Sequence, residues 1–210
     1  MSIEEMSDIC MKSDASINII VGKNAIGKTT LLRNIYNKYK ENHINTIFMS
    51  EIYNNITIPK HDYDIINEYF KQMFDIDDLI YNEYEIKFKV GDEYLSVESL
   101  GYCATKLLNI VDNIIKSKDG ILFIDNFDFP IHHTSIKVMW NLFKDFCNKY
   151  NVKIYIIAHS LELIKGCVIV NKYDNDVKLF RLQKNNNKIE IIGYESDELA
   201  FAFDLNWEIR

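Results

Sequence analysis

The segment Gly22-Lys23-Asn24-Ala25-Ile26-Gly27-Lys28-Thr29 constrains this chain more than any other. It satisfies G-x-x-x-x-G-K-[ST] without a mismatch. Before it stands the apolar run Ile17-Asn18-Ile19-Ile20-Val21, which reads as a buried parallel strand. After it, from Thr29 to Tyr39, Leu31, Leu32, Ile35, Tyr36 and Tyr39 recur at helical spacing. Glycines let such a loop curl so that successive N–H groups face one phosphate, at a helix N-terminus whose dipole favours anions. Lys28 would then bridge the β- and γ-phosphates, and the Thr29 hydroxyl would be a ligand for Mg²⁺. A plain Gly-containing turn is the alternative; the strand before and the helix after favour the phosphate loop.

Strand-like and helix-like segments alternate through the rest of the chain. Residues 1–14 are polar and read as an irregular lead-in. Thr46 to Met49 is a second strand. Residues 62–81 place Ile65, Ile66, Tyr69, Phe70, Met73 and Phe74 on one helical face. Tyr84 to Val90 alternates like a strand and turns at Gly91-Asp92. Thr105 to Lys116 and Ile136 to Tyr150 read as helices, and Ile121 to Ile124, Lys153 to Ala158 and Val168 to Val170 as strands. Residues 177–192 suggest a β-hairpin around Asn185-Asn186-Asn187, and Glu198 to Phe203 a last helix. This alternation predicts an α/β fold, a mainly parallel sheet flanked by helices. Without a Pro/Gly/Ser linker or an internal repeat, residues 1–210 are expected to form one domain, with a small helical lobe inserted over residues 55–117.

Two further strand ends carry chemistry. Ile121-Leu122-Phe123-Ile124-Asp125 is an apolar strand ending in a carboxylate, the Walker B pattern, so Asp125 would hold Mg²⁺ from the far side, through Thr29 or water. Tyr155-Ile156-Ile157-Ala158-His159-Ser160 closes a strand at the sheet edge with a histidine, placed to sense a γ-phosphate rather than to serve only the core. The net charge of −7 disfavours a free-standing nucleic-acid binder. A local basic face on Lys172, Lys178, Arg181, Lys184 and Lys188 remains open, and reads equally well as a hairpin edge kept soluble by lysine. No apolar run reaches the roughly 18–20 residues that span a bilayer. No secretory signal is visible, and the widely spaced Cys10, Cys103, Cys147 and Cys167 suit reduced thiols, so a cytoplasmic protein without membrane contact is expected. His132-His133 has no partners that would complete a metal site. Trp207 reads as part of a docked tail.

At this point the chain resembles the ABC-type ATPase superfamily, most closely its soluble OLD/RecF/SMC-like branch. Gly22 to Leu32 is similar to that family's GxNGxGKTTLL. Ile124-Asp125-Asn126-Phe127-Asp128 stands where the branch has I-D-E-x-E, and His132 where it has the H of L-H. Ala158-His159-Ser160 looks like its T-H-S switch, and Leu95 to Tyr102 resembles a degenerate S-x-G-E/Q signature. The resemblance spans residues 17–165. It implies ATP held by Gly22, Lys23, Asn24, Ala25, Ile26, Gly27, Lys28, Thr29 and Thr30, with Mg²⁺ on Thr29 and Asp125. It also implies that Ser99 and Gly101 reach the γ-phosphate of a second subunit, in a head-to-tail homodimer or heterodimer. Members of the branch act in DNA repair, recombination or antiviral defence, commonly beside a nuclease or effector.

The departures from the family pattern shape the expected chemistry. Asn126 occupies the catalytic glutamate position, and an amide cannot take a proton from the attacking water. Lys28, His159, Asn126 and Asp128 are therefore the candidate catalytic set, with Asp128 as a substitute base and slow turnover or ATP trapping as the outcome. Only residues 1–16 precede the first strand, which leaves little room for an adenine-stacking sheet; the stretch from Thr29 to Ser99 is too short for a long coiled coil. Other readings are a nucleotide-loaded regulatory module that does not hydrolyse, and a GTP-binding protein that uses Asn171-Lys172-Tyr173-Asp174 as N-K-x-D. Against the latter, Asp125 to Asp128 lacks the glycine of D-x-x-G. A small kinase would need an arginine-bearing lid, and Arg33, Arg181 and Arg210 do not form one.

Overall fold

The computed structural model describes residues 1–50, 56–81, 86–172, 176–186 and 188–204. Among these, six strands form the main sheet: Thr46–Met49 (β2), Ile121–Ile124 (β6), Lys153–Ile157 (β7), Ile17–Gly22 (β1), Val177–Asn185 (β8) and Lys188–Tyr194 (β9), in that spatial order. The first five run parallel and β9 returns antiparallel to β8, so the hairpin extends the sheet. Ile17, Ile19, Ile20 and Val21 are all buried, as a strand covered on both faces requires.

Alternate strand residues feed two cores. On one face Ile20, Phe123, Tyr155, Ile157 and Phe180 pack against the helices Ile3–Met11 (α1) and Lys28–Glu41 (α2), through Met6, Cys10, Leu31, Leu32 and Ile35. On the other, Ile19, Leu122, Ile154 and Ile156 meet Tyr102–Lys116 (α4), Ile136–Tyr150 (α5) and Leu161–Val170 (α6). Trp140 is fully buried there, and its Nε1 donates to the Leu163 carbonyl at 2.9 Å. Ser196–Asp204 (α7) closes the described chain against α6 and β8.

Several local expectations need correction. The lead-in is the helix α1, started by a capping box in which Ser2 Oγ accepts from Glu5 N (3.2 Å) and the Glu5 carboxylate accepts from Ser2 N (2.8 Å). Its apolar stripe is too narrow to stand out, since Met6 and Cys10 carry most of it. Val168 to Val170 is the last turn of α6 rather than a strand; Ser160 caps that helix through the Leu163 N–H, and a short all-apolar run has no period of its own. The helix expected over 62–81 ends at Met73 (Tyr63–Met73, α3), and Asp78–Tyr81 (β3) then pairs with Ile86–Val90 (β4), which pairs with Glu93–Ser96 (β5). Where a small helical lobe was expected there is thus a helix on a three-stranded antiparallel sheet, joined where Phe70 stacks on Phe88 at 5.5 Å and continuous with the core under α4 and α5. β7, which ends before His159, is an interior strand and not an edge. Tyr84, Glu85, Tyr173, Asp174, Asn187 and Trp207 lie outside the described residues. Among the described residues no helix is long and apolar enough to cross a membrane.

Candidate functional site

The loop between β1 and α2 turns on backbone conformations that most residues avoid. Gly22 has φ 146°, and a Cβ there would meet the Leu182 carbonyl oxygen of β8 at 2.6 Å. Gly27, the N-cap of α2, has φ 102° with open space around it, so its requirement is conformational and not steric. Ala25 also sits in the left-handed region, at φ 61°. No side chain caps α2, which leaves its first-turn N–H groups directed at the loop. Lys28 is buried, and its Nζ donates to the Gly22 and Lys23 carbonyls at 2.7 and 2.9 Å, bridging the loop from within. Burial pulls the Lys28 pKa down, opposed by the charges of Asp125 and Asp128.

Asp125 follows β6 directly, and Thr29 Oγ1 donates to its Oδ1 at 3.3 Å. These two oxygens border a cavity of about 510 Å³ that is also lined by Asn24, Ala25, Gly27, Lys28, Thr30, Asn126, Ile157 and His159. Parallel strands place their carboxyl ends at one rim of the sheet, so β1, β6 and β7 bring together three segments far apart in sequence. Asn126 adopts φ 58°, a left-handed conformation that asparagine tolerates better than most residues.

Asp128 is elsewhere. Its carboxylate accepts from His159 N at 3.0 and 2.8 Å and from Ser160 N at 2.6 Å, so it staples the segment after β6 to the segment after β7. A carboxylate occupied in this way is poorly placed to serve as the substitute base, and it does not line the cavity. Ser99 and Gly101 also stand apart from the loop. Ser99 N and Oγ bond to Ser96 Oγ at 3.3 and 3.1 Å, and Gly101, at φ 93°, opens α4. Within one chain, then, the loop residues Asn24, Ala25, Gly27, Lys28, Thr29 and Thr30 gather with Asp125, Asn126 and His159. Ser99, which is exposed, and Gly101 do not line that cavity, although Tyr102 beside them borders a neighbouring hollow with Asp125 and Asn126. His132 bonds through Nδ1 to Thr134 Oγ1 at 2.8 Å, in the turn before α5.

The guanine-reading alternative fails at its first residue. Asn171 is fully buried, its Nδ2 donates to the Cys167 carbonyl at 2.9 Å, and it caps the end of α6 remote from His159, about 15 Å away along the helix. Lys106 is the residue that sequence reasoning missed. It is 4% exposed, and its Nζ donates to the carbonyls of Asn126 and Asp128 at 2.9 and 3.1 Å. The only trace of this in the sequence is a lysine between the apolar Ala104 and Leu107.

No family model matches the chain, and no curated protein matches it. Among solved structures it is similar to the SMC head domain from Thermotoga maritima, with a TM-score of 0.61 and 12% identity over 87% of this chain and 91% of that one. More distant likenesses are to the Smc head domain of Pyrococcus furiosus with an extended coiled coil, bound to the C-terminal domain of ScpA (TM-score 0.45, 11% identity, 85% and 41% of the two chains), and to AMPPCP-bound DnaA from Aquifex aeolicus (0.42, 14%, 99% and 51%). Five parallel strands, the glycine loop between β1 and α2, and the likeness to an SMC head together identify the fold as that of an SMC-type head domain with a P-loop.

Proposed function

We propose that this chain is a single MgATP-binding domain that dimerises around ATP and hydrolyses it slowly. The observation that carries the reading is the meeting of Thr29 and Asp125 on a cavity also lined by the phosphate loop, Asn126 and His159. The loop and first-turn N–H groups would receive the phosphates, and the Lys28 ammonium would exchange its two carbonyl partners for phosphate oxygens. A hydroxyl and a carboxylate oxygen form a hard donor set that suits Mg²⁺, and the residues present fit that ion. Bound there, Mg²⁺ would neutralise charge on the phosphates. His159 would donate or accept at the terminal phosphate. Asn126 can orient a water molecule but cannot take its proton, so the roughly 10²–10⁴-fold contribution of a general base is missing.

The exposure of Ser99, and the fact that neither Ser99 nor Gly101 lines the cavity of its own phosphate loop, support a trans role, in which they reach nucleotide held by a second subunit. The resemblance to the OLD/RecF/SMC-like branch supports a switch whose ATP-bound dimer is read by a partner, of effector or nuclease kind, in DNA repair or antiviral defence in the cytoplasm. A second reading, a regulatory module that binds ATP without hydrolysis, is favoured by one observation: Asp125 is the sole carboxylate among the described residues lining the cavity.

ATP turnover measured beside size by light scattering tests both. Wild type is expected to dimerise with MgATP and turn over slowly, and Lys28→Ala to do neither. Asn126→Glu should accelerate hydrolysis if the carboxylate alone is lacking, even after the roughly 1–2 kcal/mol of left-handed strain that glutamate carries there. Dimerisation with no turnover in any variant would select the regulatory module. No ATP binding at all would end both readings.

A further inference from the structure

We infer that Lys106 is a positioning residue, which holds the backbone of Asn126 and Asp128 and, through Asp128, fixes His159 beside Asn126. The inference rests on the function proposed above and names how that site is held in shape. A helix packed on the core could fill this place with leucine or methionine, because burying an ammonium is costly unless its hydrogen bonds are met. Here two of its three are met by main-chain carbonyls of one short segment, Asn126 at 2.9 Å and Asp128 at 3.1 Å. The ring of Phe129 lies 5.1 Å from the same Nζ and adds a cation–π contact.

What Lys106 grips is strained. Asn126 is left-handed, and such a residue persists where its surroundings over-determine it. Its carbonyl is taken by Lys106, and the next N–H, of Phe127, donates to the Ile157 carbonyl at 2.9 Å. One residue further, Asp128 receives Lys106 on its carbonyl and the N–H groups of His159 and Ser160 on its carboxylate. A path therefore runs from Lys106 of α4 through Asp128 to His159, and the same Nζ holds the carbonyl of Asn126. Lys106 is also five residues beyond Gly101, on the helix that the Ser99 turn opens.

The test is the histidine side-chain ¹H–¹³C spectrum of the full chain without nucleotide. The chain has five histidines, and His159→Gln assigns the peak of interest. Lys106→Met keeps the length and removes the donors; the His159 peak should move or broaden while the other four hold, and Lys106→Arg should return it toward wild type. Asp128→Asn, which replaces one of the two acceptor oxygens by an NH₂ donor facing the His159 N–H, weakens the same path with no loss of buried volume and should move the same peak. In turnover, Lys106→Met should lower kcat about tenfold or more with KM changed less than about twofold. An unmoved His159 peak in Lys106→Met would overturn the inference, whatever Asp128→Asn does, as would a shift of all five peaks in both variants. Because the spectrum is read without ATP, failure of the proposed function would show separately, as MgATP leaving the His159 peak of wild type unchanged.

Discussion

Gly22, Ala25 and Gly27 show how backbone angle decides what the phosphate loop can accept. Gly22→Ala would drive a Cβ into the Leu182 carbonyl of β8, and neither strand can yield without losing its pairing. We expect a loss of more than about 2 kcal/mol in chemical denaturation, together with loss of nucleotide binding. Ala25 is the opposite case. At φ 61° an alanine carries about 1 kcal/mol of left-handed strain, so Ala25→Gly should stabilise the chain by about 0.5–1 kcal/mol, a rise of some 1–4 °C in Tm. A fall in Tm would place Ala25 outside the left-handed region. At this scale the loop and Asp125 were legible because their chemistry is written as residue types at fixed spacing. Lys106 and the true employment of Asp128 were not, because each depends on which carbonyl or N–H the fold brings within 3 Å.

Among the elements, α5 and α6 pack closely enough to be tested with one atom. Gly166 lies in α6, and a Cβ there would meet Ile136 Cγ2 of α5 at 2.3 Å. That methyl is fixed to a β-branched carbon and cannot swing away. Gly166→Ala should therefore destabilise by about 1–3 kcal/mol despite alanine's higher helix propensity, and adding Ile136→Leu, which has no branch at Cβ, should recover part of the loss in a thermal melt. An unchanged or raised Tm in the single variant would show that the two helices stand further apart. In the same helix, Val168 to Val170 was misread. Val168-Ile169-Val170 is apolar even where the helix is open, with Ile169 53% exposed, so this turn has no polar face to mark its period, and only the Ser160 cap betrays it. The main strands were legible for the complementary reason, since runs buried on both faces are apolar throughout. In the lobe β4 and its turn at Gly91-Asp92 were legible from their alternation, but β3 was not, because its four residues are too short to show a period and follow directly on the apolar face of α3.

At the scale of the whole molecule, the proposed dimer calls on two parts of the fold, the phosphate loop and the turn that carries Ser99. Tyr94 and Tyr102 flank that turn in sequence and are 57% and 53% exposed, so they are the aromatic groups there that a second copy would cover. Bringing two copies together opposes this with charge, since each carries −7 before any nucleotide is added. Screening should then matter. With MgATP present, the dimer fraction seen by light scattering should rise between about 20 and 150 mM salt, as the Debye length shortens to about 8 Å. Ligand linkage gives the matching thermal signature. MgATP at about 100 times its Kd should add about 2.7 kcal/mol, or some 5–10 °C in Tm, and because dimerisation follows, Tm should also climb with protein concentration. Chelation of Mg²⁺ should remove both effects, as should Lys28→Ala, and Tyr102→Ser should remove only the concentration dependence. A Tm that rises with MgATP but ignores protein concentration would leave the nucleotide site in place and return the Ser99 turn to the status of an ordinary helix start.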